Sequence, residues 1–295
     1  MQTIRKLLVV GAGAMGSQIA VLGALGGLEV QLQDVRPEGL DAAQLQLTKR
    51  LGRMVEKGTL SQDEFDATFD RLRFTTDLAA AADGADLVIE AIVEKLEAKV
   101  DLFAQLSPLV RKDTIFATNS SSIVGSLIGD KTDRPQLFCN MHFFNPPLVM
   151  DCVEVVGGPT VDADTIDLVR RVCVQMNRTP IVLEKEIPGF IANRILNALF
   201  REAIALHEGG YASIDAIDDI CRRALRHPMG PFELLDMAGI DVNLQMQDSF
   251  FNQSGDPADR PQDVIRQLVA ENRLGQKTGK GFYAYEDGKK SGVAS

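Results

Sequence analysis

The chain is predicted to be an α/β protein: a doubly wound sheet followed by a second domain of helices alone. Three observations carry that prediction. Apolar runs alternate with helical stretches from Lys6 to about residue 186, a glycine-rich turn follows the first run, and from Pro188 onward the spacing is helical throughout. At 295 residues the chain is long enough for two domains, since single cores stop growing at about 250–300 residues.

The first run, Leu7–Val10, has no polar alternation, as in a parallel strand covered on both faces. It opens KLLVVGAGAMGSQIAVLGALGGLEVQLQD, a strand, a glycine turn, a helix and a strand. ADLVIEAIV, TIFATN, QLFCNMHFF, CVEVV and TPIVLE predict further strands, with EKLEAKVDLFAQLSPLV and VDADTIDLVRRVCVQM as helices between them. Residues 37–73 break this rhythm as two charged helices separated by Gly58, an inserted helical hairpin. A domain boundary is placed near residue 186, giving domains 1–186 and 187–295. The second begins with a helix started by Pro188 and stopped by Gly209–Gly210, with Ile191, Ile195, Leu199, Ala203 and Leu206 at helical spacing. More helices are expected around 213–226, 231–251 and 261–273.

The net charge of −10 argues against nucleic-acid binding, which needs a basic face, but not against a small anion held by a local basic cluster. Four cysteines, widely spaced and without a C-x-x-C pair, argue against a disulfide framework or a metal site. No signal peptide precedes the first strand and no apolar run reaches the roughly 18 residues that span a membrane. A cytoplasmic protein with no membrane partner is the expectation.

Gly11-x-Gly13-x-x-Gly16 follows a strand and opens a helix, the arrangement of a Rossmann-type dinucleotide site. Its glycines allow a tight turn, close approach of a pyrophosphate and close helix–strand contact, while the helix N-terminus offers N–H groups to phosphate. Gly11, Gly13, Ala14, Met15 and Gly16 are the candidate contacts. Asp34, 18 residues after Gly16, stands where a carboxylate accepts the adenine-ribose hydroxyls. It would repel a 2′-phosphate, which favours NAD over NADP, although Arg36 lies close by.

Ligands of such sheets bind beyond the carboxyl ends of the strands. Asn119, Ser120, Ser121 and Ser122 follow one strand, and His142 ends another. The Asn145–Pro146–Pro147 turn then reverses the chain into DCVEVV, where Glu154 sits among valines. A buried carboxylate without a partner costs several kcal/mol, so pairing with His142 is one reading; a solvent-facing Glu154 on an edge strand, with a structural His142, is the other. His207 and His227 are read as structural. Asn193, one turn into the first helix after the boundary, could donate to a substrate oxygen. Lys49, Arg53 and Lys57 form a basic stripe, either a solvated face or a hold on a phosphate-bearing substrate.

GAGAMGSQIA, IEAIVEKLEAK, ATNSSS, MHFFNPPLVMDCVEVV, PGFIANRIL, HPMGPFELLD and KTGKGFYAY resemble, in order and spacing, the L-3-hydroxyacyl-CoA dehydrogenase family from the first strand to about Tyr285. The resemblance implies NAD-dependent interconversion of 3-hydroxyacyl-CoA and 3-oxoacyl-CoA, in fatty acid metabolism. It implies His142 as general acid/base, Glu154 as its partner, and Ser121 and Asn193 as the holders of the substrate oxygen. Glu94, Lys99 and Asn119 would lie towards the nicotinamide, Lys277 would be a further cofactor contact, and Lys49, Arg53 and Lys57 would meet the CoA phosphates. The helical domain would mediate a homodimer. The sequence departs from the family pattern in Ser120, where threonine is usual, and in Asp151–Cys152, an added acid expected to alter the substrate pocket or the histidine. Phe143 separates it from gulonate and carnitine dehydrogenases, which usually have proline there. A dehydrogenase of non-CoA hydroxy acids and a non-catalytic dinucleotide-binding protein are the rival readings.

Overall fold

The structure, a computed structural model, describes residues 3–294. The chain divides into two compact units between Ile187 and Pro188. The first opens with β1 (Lys6–Val10), α1 (Gly16–Leu25), β2 (Glu29–Gln33), α2 (Pro37–Glu56), α3 (Gln62–Arg71) and β3 (Leu72–Thr75). It continues through α4 (Leu78–Ala82), β4 (Leu87–Glu90), α5 (Leu96–Leu106), β5 (Ile115–Thr118), α6 (Ser126–Gly129) and β6 (Phe138–Phe143). β7 (Cys152–Gly157), α7 (Ala163–Gln175) and β8 (Thr179–Leu183) close the unit.

These strands form one sheet in the order β3-β2-β1-β4-β5-β6-β7-β8, parallel except where β7 runs back against β6. Successive residues of β1 serve opposite faces. Leu7 and Val9 join the core under α1, α2 and α7, while Leu8 and Val10 join the core under α4, α5 and α6. That two-sided burial is why the run carries no polar alternation.

The inserted hairpin is present as α2 and α3, and α3 is stopped from unravelling by a capping box between Ser61 and Glu64. Its tail is not helical, however. LRFT forms β3, pairing Leu72 with Val30 and Phe74 with Leu32 at the sheet edge. Four residues are too few for a two-residue period to stand out beside a charged helix.

The second unit contains α8 (Ala192–Glu208), α9 (Ile214–Arg223), α10 (Pro231–Ala238), α11 (Ile240–Ser254) and α12 (Asp263–Ala270). Three corrections to the expected pattern arise here. First, the unit is helical but not of helices alone: β9 (Tyr283–Glu286) and β10 (Lys289–Val293) form an antiparallel ribbon. Asp287 and Gly288, both at positive φ, make its turn, a hairpin signal that the sequence carried openly. Second, α8 begins at Ala192. Gly189 and Phe190 lie at φ +77° and +50°, outside the helical region, and a Cβ on Gly189 would stand 1.9 Å from the Phe250 ring. Pro188–Gly189–Phe190 is therefore a tight turn seated on an aromatic ring.

Third, the buried face of α8 carries Phe200, Ala203 and Ile204, packed with Phe232, Leu235, Ile240, Ile265 and Leu268. Ile191 and Ile195, expected inward, are 44% and 65% exposed. The helix is apolar on two sides, so spacing alone could not choose between them.

Two buried acids hold this unit together. Asp218 accepts hydrogen bonds from the Phe232 and Glu233 N–H groups and the Tyr283 hydroxyl, at 2.9, 3.1 and 2.8 Å. Asp236 accepts from the N–H groups of Phe282 and Tyr283 and from the Tyr285 hydroxyl. The HPMGPFELLD and KTGKGFYAY segments are thus two halves of one packing unit. Among the described residues no helix is long and apolar enough to cross a membrane.

Candidate active site

One register row fixes the site. Gln33, Val10, Glu90, Thr118 and Asn140 lie side by side across β2, β1, β4, β5 and β6. Asp34, Gly11, Glu94, Asn119, Ser121 and His142 each follow that row within four residues, so they gather beyond the carboxyl edge of the sheet.

Gly11 sits at φ +106°, and its N–H donates to Gln33 O at 2.7 Å. A Cβ on Gly16 would stand 1.9 Å from Gly11 O, whereas one on Gly13 would meet nothing within 4 Å. Gly16 is therefore demanded by the helix–turn contact, and Gly13 leaves open space. The N–H groups of Gly13, Ala14 and Met15 have no partner among the described residues, which suits them to phosphate oxygens. Asp34, 8% exposed, accepts from the Ala12 N–H at 2.8 Å and the Arg36 N–H at 2.9 Å, so its carboxylate is fixed in orientation. The Arg36 guanidinium lies 3.6 Å away and is largely exposed. A dinucleotide fits these residues: an open glycine cradle for pyrophosphate and a fixed acid for ribose.

His142 and Glu154 are direct cross-strand partners in the β6/β7 pair, with His142 Nδ1 2.7 Å from Glu154 Oε2. They are 5% and 2% exposed. The solvent-facing reading of Glu154 fails because β8 covers the outer side of β7, setting Ile181 opposite Glu154. Phe144 lies against the imidazole, with ring centroids 4.7 Å apart. Asn119 Oδ1 accepts from the Phe143 N–H at 3.0 Å and ties the ends of β5 and β6 together.

Glu94 organises the three serines. Its Oε1 accepts from Ser120 Oγ at 2.5 Å, Ser122 Oγ at 2.8 Å and the Ser122 N–H at 3.2 Å. The Ser121 hydroxyl, half-buried between them, has no hydrogen-bond partner among the described residues. Burial would raise the Glu94 pKa, but the Lys99 charge and the serine hydrogen bonds hold it below the usual value. Lys99 is 1% exposed and enclosed between Glu90 at 2.7 Å and Glu94 at 3.2 Å. Its ammonium is spent on these carboxylates.

The stripe Lys49, Arg53 and Lys57 is exposed along α2 and its C-cap. In the second unit Asn193 is the second residue of α8 and half-buried, and Lys277 is held by both Asp241 oxygens, at 2.5 and 2.6 Å. Asp151 is exposed, one residue before β7, with its Oδ2 3.5 Å from Thr179 Oγ1. No group of three or more metal-ligating side chains occurs among the described residues.

Sequence reasoning missed the buried residues behind this edge. Glu90 and Asn140 are fully buried, and Gln18 Oε1 accepts from the Leu148 N–H at 3.3 Å, joining α1 to the proline turn. A carboxylate four residues before Glu94 was the available signal.

Comparison with known proteins places this arrangement. The model of the 3-hydroxyacyl-CoA dehydrogenase NAD binding domain matches residues 6–187, and that of the C-terminal domain matches residues 189–285. A probable 3-hydroxybutyryl-CoA dehydrogenase of Deinococcus radiodurans is 39% identical over 280 residues, 95% of this chain and 100% of that one. The mitochondrial hydroxyacyl-coenzyme A dehydrogenase of Rattus norvegicus is 37% identical over 289 residues, 96% of this chain and 92% of that one. The crystal structure of (S)-3-hydroxybutyryl-CoA dehydrogenase from Ralstonia eutropha matches with a TM-score of 0.92 at 34% identity, covering 97% of this chain and 100% of that one. Together the two domain models run from the first strand to the terminal ribbon, and the chain belongs to the 3-hydroxyacyl-CoA dehydrogenase family of NAD-dependent oxidoreductases.

Proposed function

We propose that the protein interconverts (S)-3-hydroxyacyl-CoA and 3-oxoacyl-CoA, with His142 as general acid/base. The supporting observation is the buried His142–Glu154 pair at 2.7 Å beside an open dinucleotide cradle. The glycine turn at residues 11–16 and Asp34 would hold NAD, which would supply the hydride acceptor for C3 in oxidation and, as NADH, the donor in reduction. His142 takes the C3 hydroxyl proton at Nε2 in oxidation and gives it back in reduction. Glu154 holds the Nδ1–H tautomer and stabilises the imidazolium. Ser121 donates to the C3 oxygen, where negative charge develops. Asn193 is proposed on the resemblance alone to donate to the same oxygen, and Asp34, Glu94, Asn119 and Lys277 to contact the cofactor. Lys49, Arg53 and Lys57 would hold the CoA phosphates, and exposed Ile191 and Ile195 suit the second unit to dimerisation.

The test is NADH oxidation with acetoacetyl-CoA, longer 3-oxoacyl-CoAs and a CoA-free 3-oxo acid. Turnover of CoA thioesters is expected, lowered about 10²–10⁴-fold in His142→Gln with NADH binding retained. Near-normal turnover in that variant would refute the role of His142. Equal use of the CoA-free acid would refute the CoA substrate.

A further inference from the structure

The row residue Glu90 cannot touch a ligand, because it is 0% exposed beneath the site. Its Oε1 accepts from the Ile92 N–H at 2.6 Å and from Lys99 Nζ at 2.7 Å, and its Oε2 accepts from Thr118 Oγ1 at 2.5 Å. Thr118 Oγ1 in turn accepts from the Ser120 N–H at 3.1 Å, and the Asn119 N–H donates to Glu90 O at 2.8 Å. Lys99 passes from Glu90 to Glu94, and Glu94 grips Ser120 and Ser122. Asn140 donates to Ile123 O at 3.1 Å from the neighbouring strand.

We propose that Glu90 is a positioning residue: through Lys99 and Thr118 it sets the loop of Ser120, Ser121 and Ser122, and so the place of the Ser121 hydroxyl. The inference rests on the proposed role of Ser121. Every partner bond of Glu90 ends on a group that fixes this loop or the loop carrying Glu94. The two loops leave the neighbouring strands β4 and β5, the first of which adjoins β1 at the sheet's crossover point. Fixing Ser120 and Ser122 by their hydroxyls leaves Ser121 as the one serine of the three able to donate to a substrate. A hydroxyl aimed at a developing charge is effective only if it is held there beforehand.

Glu90→Gln keeps the volume and, with its carbonyl towards Ile92, the Ile92 hydrogen bond, but it turns an amide donor towards Thr118 Oγ1, reversing that bond, and removes the charge that holds Lys99. The expected result is a kcat lowered about 10- to 100-fold, the scale of an ångström's misplacement. Ser121→Ala should itself cost about 10²-fold. The deciding readout is the double variant. If Glu90 acts through Ser121, Glu90→Gln adds little to Ser121→Ala, whereas a merely structural Glu90 gives multiplied losses. Thr118→Val, which with little change of shape removes the bond to Glu90 and the one from the Ser120 N–H, should show the same non-additivity, and it decides the matter if Glu90→Gln does not fold. Multiplied losses in either cycle overturn the proposal while leaving Ser121 catalytic. A fully active Ser121→Ala overturns the role of Ser121 itself.

Discussion

Replacing Glu154 by glutamine keeps the shape of the β7 strand and removes one negative charge from beside His142. The two side chains touch at 2.7 Å and are 2% and 5% exposed, so water offers little compensation. In a site with an effective dielectric of about 20, unit charges about 4 Å apart interact by about 4 kcal/mol. That attraction exists only while the imidazole carries the proton it has taken. It is therefore lost from the transition state and not from the resting enzyme, and at about 1.4 kcal/mol per decade it amounts to about 10³ in kcat. Glutamine can also turn its amide donor towards Nδ1 and favour the wrong tautomer, which would deepen the loss. Stability should change little, since one hydrogen bond to the ring survives. The assay is kcat for (S)-3-hydroxybutyryl-CoA oxidation at saturating NAD, the direction in which His142 takes the proton, with NADH binding and Tm measured alongside. A folded variant with kcat within about two-fold of the parent would refute the proton-transfer role of the pair.

Two further predictions concern other parts of the chain. Lys49→Glu with Arg53→Glu reverses two exposed charges of the stripe, and KM for acetoacetyl-CoA should rise about ten-fold or more while the NADH dissociation constant is unchanged; an unmoved KM would leave the stripe a solvated face. In the second unit, burial raises the pKa values of Asp218 and Asp236 above the ordinary 3.8 despite the hydrogen bonds they accept. A raised folded-state value means that the folded protein holds the proton more tightly, so this contribution to stability is full below about pH 4 and is lost as pH rises through the raised values. Asp236→Asn should lower Tm, because its NH2 then faces either the Phe282 N–H or the Tyr283 N–H and Tyr285 hydroxyl, donor against donor, at a cost of about 1–3 kcal/mol. The deficit should narrow as pH rises and the parent begins to carry the ionisation cost; a constant gap by calorimetry would contradict this.

The sequence was most legible where a pattern repeats and least where a partner lies far along the chain. The strands β4 to β7 appeared as apolar runs because each is buried on both faces, and β8 appeared as one although it is an edge strand with Ile181 and Val182 exposed. β3 and the terminal ribbon did not, being four or five residues long and partly exposed. The His142–Glu154 pair was half legible. Glu154 among valines demanded a partner, but its identity depends on a cross-strand register set by the turn at Asn145–Pro147. The solvent-facing alternative fell to β8, a strand some two dozen residues later in the chain. Glu90 was invisible for another reason: in LVIEAIVEK it resembles Glu94, and burial separates them only after folding, as 0% for one residue and a 40% exposed side chain for the other.

The register row explains why such residues recur at this edge. Of its five members, Gln33, Glu90, Thr118 and Asn140 are polar and at most 2% exposed, and Val10 alone is apolar. Apolar side chains at these positions would give a sheet at least as stable, since buried charges and amides return little net free energy even when paired. Their bonds, however, leave the sheet and end on the loops beyond it: Gln33 on Thr76 O, Glu90 on the Ile92 N–H, Thr118 on the Ser120 N–H, Asn140 on Ile123 O. A valine row would bury the same area and leave those loops without anchors. The last row of the sheet thus exchanges cohesion for a hydrogen-bonded floor, on which the loops carrying Glu94 and Ser121 are held in one arrangement, alongside His142 of β6, before any ligand arrives.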